Sequence, residues 1–175
     1  MPERSRVVLL DEEGMPLGEL DKLSSHIAPG RLHLAFSVFV FCGDEVLVQK
    51  RAASKYHFAG IWANACCSHP EPGEEIVASA HRRLFEELGL DLELTDVGTF
   101  SYRAADAASG LVEHELDHVL VGEMTAPAEL SAAEDEVDEL AWLPVTAVIG
   151  AGKGQGFAPW FAGALEVALG GRSVG

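Results

Sequence analysis

Between Trp62 and Leu90 a loop, Trp-Ala-Asn-Ala-Cys-Cys-Ser-His-Pro-Glu-Pro-Gly, runs directly into a helix-patterned stretch that closes on Leu-Gly-Leu. Apolar Ile76, Val77, Ala80, Leu84, Phe85 and Leu88 fall at offsets 0, 1, 4, 8, 9 and 12, one stripe of an amphipathic helix. Such a stripe must be covered by another layer, and Gly89 ends the helix as a C′ glycine does. The loop brings Cys66, Cys67 and His69 to that helix. Successive residues of an extended chain point to opposite faces, so at most one of the two cysteines can face a common site.

The stretches around this feature read mainly as strands. Arg6–Leu10 and Leu17–Leu20 flank an Asp-Glu-Glu-Gly turn and predict an N-terminal hairpin. Residues 33–42, rich in Phe and Val, predict a buried strand that Gly43-Asp44 turns into a second over 45–50. Residues 51–60 form a polar loop with Arg51, Lys55, Tyr56 and His57, and 61–66 predict a short strand. Further strands are expected near 92–102, 112–124 and 140–143, and a helix over 157–169 with Pro159 near its start. Strands mixed with a few helices, without regular βαβ alternation, indicate an α+β fold. The 175 residues carry no repeat or low-complexity linker, so a single domain over 1–175 is expected.

Charge narrows the partners. Twelve basic against 28 acidic residues give a net charge of −16, the wrong sign for a nucleic-acid surface. The longest apolar run, 34–42, is too short to cross a bilayer, which needs about 20 residues, so no membrane partner is expected. Three cysteines, two of them adjacent, do not make a disulfide framework, and reduced thiols in a cytoplasm are the simpler reading.

Several residue groups could carry chemistry, each with a plainer alternative. Glu113, Glu115 and Asp117 project from one face of the 112–124 strand, ordinarily a solvated face, while His114 and His118 lie on the other face as structural or exposed residues. His26 and His33 bracket a Pro29-Gly30 turn and are close enough to converge on an ion. With His69, Glu113 and Glu115 they would make an imidazole/carboxylate set suited to Mn²⁺ or Zn²⁺. Arg51 and Lys55, with Lys22 and Arg31, are either a solvated basic loop or an anion site for phosphate. On the helix, Arg82–Glu86 and Arg83–Glu87 are i,i+4 pairs that surface ion pairing would explain; a metal-bound Glu87 is the alternative.

Residues 68–90 resemble the Nudix box, Gly-x5-Glu-x7-Arg-Glu-apolar-x-Glu-Glu-x-Gly-apolar. Glu74, Arg82, Leu84, Glu86, Glu87, Gly89 and Leu90 match it; Ser68 stands for its first Gly and Arg83 for the Glu after Arg82. Nudix hydrolases use the helix carboxylates to bind Mg²⁺ for attack on a diphosphate, and Arg83 both removes one carboxylate and can neutralise another. From about Val7 to Trp160 the chain resembles the type I isopentenyl-diphosphate Δ-isomerases. The likeness lies in Arg31–Ser37, Lys50-Arg51-Ala52, Ser54-Lys55, Gly60–Asn64, Cys66–Pro70, Tyr102-Arg103-Ala104, Glu113-His114-Glu115 and Pro159-Trp160. Ala59, where Pro is expected, and His114, where Asn is commoner, depart from it.

That resemblance implies a Nudix-type mixed β-sheet core flanked by helices, with the N-terminal hairpin as an extension. It implies interconversion of isopentenyl and dimethylallyl diphosphate; the alternatives are a Nudix pyrophosphatase and a non-catalytic diphosphate- or metal-binding domain. The implied catalytic groups are Cys67, Glu115 and Tyr102, and the implied substrate contacts Lys22, Arg51, Lys55, Ser68 and Trp160. The implied metal set is His26, His33, His69, Glu113 and Glu115, holding one Mn²⁺, Zn²⁺ or Mg²⁺, with Glu87 serving a substrate-associated Mg²⁺.

Overall fold

A computed structural model describes residues 5–55, 57–127, 129–151 and 156–172. Tyr56 lies outside the described residues. The chain opens with the expected hairpin, β1 (Arg6–Leu10) and β2 (Pro16–Asp21). The Asp11 carboxylate closes it by accepting from the Glu13 and Met15 N–H groups at 3.0 and 2.8 Å. A five-residue helix, α1 (Lys22–His26), follows where the sequence reading assigned no element; five residues are too few to display a period. Asp21 caps it, accepting from Ser24 N at 2.9 Å.

The scaffold is organised on β3 (His33–Cys42), of which Ala35, Phe36 and Val38–Phe41 are buried hydrophobics. It runs parallel to β8 (Val112–Met124) over its whole length, with His33 opposite Glu115 and Cys42 opposite Met124. On its other edge, β4 (Glu45–Arg51) pairs with it only at the hairpin end. Farther along, β6 (Cys66–Ser68) takes over that edge, setting Cys67 opposite Ser37. The single strand expected over 61–66 is thus two, β5 (Trp62–Asn64) on β4 and β6 on β3. The break at Ala65 lets the chain step from one partner to the other as β3 and β4 diverge. β7 (Thr95–Ala105) extends the sheet beyond β8, and β9 (Val137–Pro144) beyond β4.

Helices cover both faces. α2 (Ile76–Leu88) lays Ala80, Leu84 and Leu88 on Phe36, Val38, Val40 and Leu120. Phe85, counted in the apolar stripe, is instead 57% exposed. At about 100° per residue it sits roughly 100° around the helix from the stripe's centre. Gly89 ends α2 at φ 70°, its N–H returning to Phe85 O. α4 (Phe161–Gly171) packs Phe161, Ala164, Leu165 and Ala168 against Phe39, Phe41, Val119 and Val121 on the opposite face. Between β9 and α4 lies α3 (Val145–Ala151), where β-branched residues gave no helix signal; Val148 joins the α4-side core. No helix among the described residues is long and apolar enough to cross a membrane.

Candidate active site

Strand alternation builds the site. On β8, Glu113, Glu115 and Asp117 share the α4-side face with Val119 and Val121. They are not a solvated row: their exposures are 5%, 5% and 1%, because the side chains of His33, His57, His69, Tyr102 and Ser37 crowd against them. On β6 the same alternation separates the adjacent cysteines. Cys66 is buried in the α2-side core, whereas Cys67 turns to the α4 side. His118, on the other face of β8, pairs with Asp96 Oδ2 at 2.7 Å.

One cavity is lined by Lys22, Phe36, Arg51, Lys55, His57, Cys67, Ser68, His69, Tyr102, Glu113, Glu115 and Trp160. Every residue expected to do catalysis or bind substrate is in that set. Directly behind it sit His26 and His33, both fully buried, with ring centroids 4.9 Å apart. The turn between them is Gly30, at φ 83°, where a Cβ would lie 2.8 Å from Val112 Cγ1.

Two imidazoles meet Glu115: His33 Nε2 is 3.0 Å and His69 Nε2 2.6 Å from its Oε2, and the two nitrogens are 3.2 Å apart. Ligand atoms of His26, His33, His69 and Glu115 all lie within 4.8 Å of one another, as do those of His26, His57 and Glu113. Glu113 therefore stands in a trio beside the first group of four, the two sharing His26. The tautomers favour a cation. His26 Nδ1–H donates to Lys22 O at 2.6 Å and His33 Nδ1–H to Arg31 O at 2.7 Å, which leaves each neutral ring an Nε2 lone pair. The lone pair of His33 and the Glu115 carboxylate repel unless a proton or metal ion sits between them. Burial lowers the pKa of His69 to about 3 against the pull of Glu115, keeping this ring neutral as a ligand must be. This donor set fits a divalent ion.

The Tyr102 hydroxyl bridges the two carboxylates, donating to Glu115 Oε1 and lying 2.7 Å from Glu113 Oε2. Burial, then Glu113 and Glu115, push its pKa well above 10, so it remains a phenol. Burial, then Asp117, also raise the Cys67 pKa, so this sulfur carries its proton at neutral pH. Cys67 Sγ–H donates to Asn64 Oδ1 at 3.1 Å, and the same oxygen accepts Trp160 Nε1–H at 3.1 Å. Trp160 is 2% exposed, with Tyr102 6.0 Å away and the Arg51 guanidinium carbon 5.6 Å from its ring centroid. Arg51 also donates to the carbonyls of Phe58 and His57 at 3.0 and 3.1 Å, and Lys55 Nζ meets Glu136 at 2.5 Å.

Glu87 is not brought to this group. It is 3% exposed in the α2-side layer, accepting from Arg83 at 3.0 Å and from Cys66 Sγ at 3.2 Å. Its position was readable: offset 11 from Ile76 falls back on the apolar stripe. His57 and Asn64 carried no comparable signal. One looked like part of a polar loop, and the other's bonds join segments 96 residues apart.

Known proteins resemble the chain over most of its length. The NUDIX domain family matches residues 31–161. The isopentenyl-diphosphate Delta-isomerase of Nocardia farcinica is 46% identical over 165 residues, covering 93% of each chain. That of Streptomyces coelicolor is 45% identical over 91% of this chain and 81% of its own, and that of Halorhodospira halophila 47% identical over 78% and 77%. The crystal structure of DR0079 from Deinococcus radiodurans superposes with a TM-score of 0.74 at 14% identity, covering 93% of this chain and 98% of that one. A MutT NUDIX hydrolase from Burkholderia pseudomallei gives 0.61 at 22% identity over 77% and 96%; these two likenesses concern the fold alone. With a Nudix sheet and relatives this similar along nearly its whole length, the chain belongs to the Nudix family and, within it, to the isopentenyl-diphosphate Delta-isomerases.

Proposed function

We propose that this chain, as one domain, interconverts isopentenyl and dimethylallyl diphosphate. The observation that carries the reading is one cavity that gathers a protonated thiol, a phenol–carboxylate pair and an indole beside Lys22, Arg51, Lys55 and Ser68. Moving a double bond requires a proton to be added at one carbon and another removed nearby. Cys67 and the Tyr102–Glu115 pair supply two separate proton-handling groups on the walls of that cavity. Positive charge that develops on the branched carbon is stabilised by the π-face of the buried Trp160 indole. Lys22, Lys55, Ser68 and the remaining Arg51 N–H groups bind the diphosphate as donors.

His26, His33, His69, Glu113 and Glu115 would hold one Mn²⁺, Zn²⁺ or Mg²⁺. Such an ion supplies a fixed positive charge that keeps Glu115 ionised and orders its neighbours. Glu87, buried against Arg83 and Cys66 and absent from the cavity lining, does not fit the expected role of holding a diphosphate-associated Mg²⁺. Arg83 supports isomerisation over hydrolysis, since it pairs with Glu86 at 2.8 Å and Glu87 at 3.0 Å, carboxylates a Nudix hydrolase would commit to metal. Cys42, Cys66 and Cys67 are free thiols, which supports a cytoplasmic setting. Incubation with isopentenyl diphosphate and Mg²⁺, following dimethylallyl diphosphate and inorganic phosphate together, tests the proposal. Isomer without phosphate is expected; phosphate release without isomer would replace it with the pyrophosphatase reading.

A further inference from the structure

We infer that His57, which the expected metal set does not include, is a positioning residue of the metal centre and acts by fixing Glu113. Its Nε2 lies 2.5 Å from Glu113 Oε1, and its side chain is 4% exposed. It clusters with His26 and Glu113 but not with His33, His69 and Glu115, so it stands on the Glu113 side of the group. An ion gathered by the three imidazoles and Glu115 would reach His57 only through that carboxylate. Glu113 is then held on Oε1 by His57, while the Tyr102 hydroxyl, which donates to Glu115, lies 2.7 Å from Oε2. A carboxylate that must meet an ion gains from such an outer hydrogen bond, which restricts its orientation.

The loop is built to hold the imidazole there. Arg51 clamps the carbonyls of His57 and Phe58. Phe58 takes φ 48°, a left-handed conformation unusual for an aromatic residue, and its N–H is fixed by Asp106 Oδ2 at 3.1 Å. The Phe58 ring stands edge-on to Trp160 at 5.6 Å, and the His57 ring packs on His26 at 5.0 Å. A strained backbone persists only where its surroundings hold it, and here they aim His57 at Glu113.

The inference rests on the metal-centre reading, and its test uses the full chain, stripped with chelator and titrated with Mn²⁺ alone. His57→Ala and the volume-keeping His57→Phe are expected to raise the Mn²⁺ Kd by about 10- to 100-fold. His57→Gln, whose amide N–H can replace the imidazole donor, stays near the wild-type value. In a Glu113→Ala background His57→Phe adds nothing further, because the residue it serves is gone. Spin-echo spectroscopy of bound Mn²⁺ counts the same imidazoles in wild type and His57→Phe. An unchanged Kd in His57→Phe would overturn the inference, and so would a count lower by one, which makes His57 a direct ligand. Wild-type protein that fails to bind Mn²⁺ overturns it together with the metal centre, whereas isomer formation measured on the same samples decides the isomerase reading separately.

Discussion

Arg83→Gln probes the ion pair that distinguishes this helix from a hydrolase helix. Glu87 has a side-chain exposure of 4%, and Arg83, at 24%, is its cationic partner at 3.0 Å. Removing one partner of a fully buried pair costs about 3–5 kcal/mol. Here the arginine is partly solvated and Cys66 still donates to Glu87, so the expected loss is about 2–3 kcal/mol. At roughly 2–4 °C per kcal/mol for a chain of this size, Tm falls by about 4–12 °C. Burial already raises the Glu87 pKa above 4.5 against the pull of Arg83, and the substitution raises it further. A carboxyl with a raised folded pKa loses stability as pH rises through that value, so the gap between wild type and variant widens in that direction. Urea unfolding of Arg83→Gln, Glu87→Gln and the double variant in metal-free buffer measures the pair directly. A coupling of about 1–2 kcal/mol is expected. A single variant within about 0.5 kcal/mol of wild type, or a coupling near zero, would refute the reasoning.

Cys67→Ser keeps shape but weakens the acid, and turnover should fall by about 10²–10⁴-fold at unchanged Tm; near-wild-type turnover removes the thiol from the reaction. An epoxide analogue of the substrate should label Cys67 and spare buried Cys66, read by peptide mass spectrometry. Gly30→Ala forces a left-handed φ on a residue with a Cβ and drives that atom to 2.8 Å from Val112 Cγ1, so a loss of about 2–3 kcal/mol is expected along with weaker metal binding at His26 and His33. For Glu136, burial is outweighed by Lys55 and its pKa lies below 4.5; its contribution is present above that value and lost as pH falls through the folded pKa. The stability advantage of wild type over Glu136→Gln should therefore shrink on acidification, as followed by melting temperature across pH 3–6, a range chosen to bracket roughly the ordinary carboxyl value. Chelation should lower Tm, and Mn²⁺ at about 100 times its Kd should restore about 2.7 kcal/mol.

Periodicity and turn chemistry are local, and wherever they act alone the sequence reading holds. The hairpin at Asp11, the 33–42 strand, and the end of α2 at Gly89 follow from neighbours within a few residues. The split of Cys66 from Cys67 needed only strand alternation. The resemblance supplied the ligand and substrate positions; the cavity gathers the expected catalytic and substrate-contact residues, with His26 and His33 behind it and Glu87 apart. What local pattern misread depends on what packs against it. Glu113, Glu115 and Asp117 read as a solvated row until side chains from distant segments, His57 and His69 among them, cover that face. Phe85 read as core until α2 took the rotation that leaves it in solvent.

The sequence by itself determined which groups this protein possesses: a thiol, three expected imidazoles, paired carboxylates and a few cations in an acidic chain. Spacing along the chain also determined their faces on strands and helices. Only the tertiary structure decided which of them meet. It brought His57 from a loop to Glu113, and joined Cys67 to Trp160 through one oxygen of Asn64. It also kept Glu87 with Arg83 on the far side of the sheet. The His57–Glu113 and Asn64–Trp160 contacts span 56 and 96 residues along the chain and arise from strand pairing and helix docking, which no local period encodes.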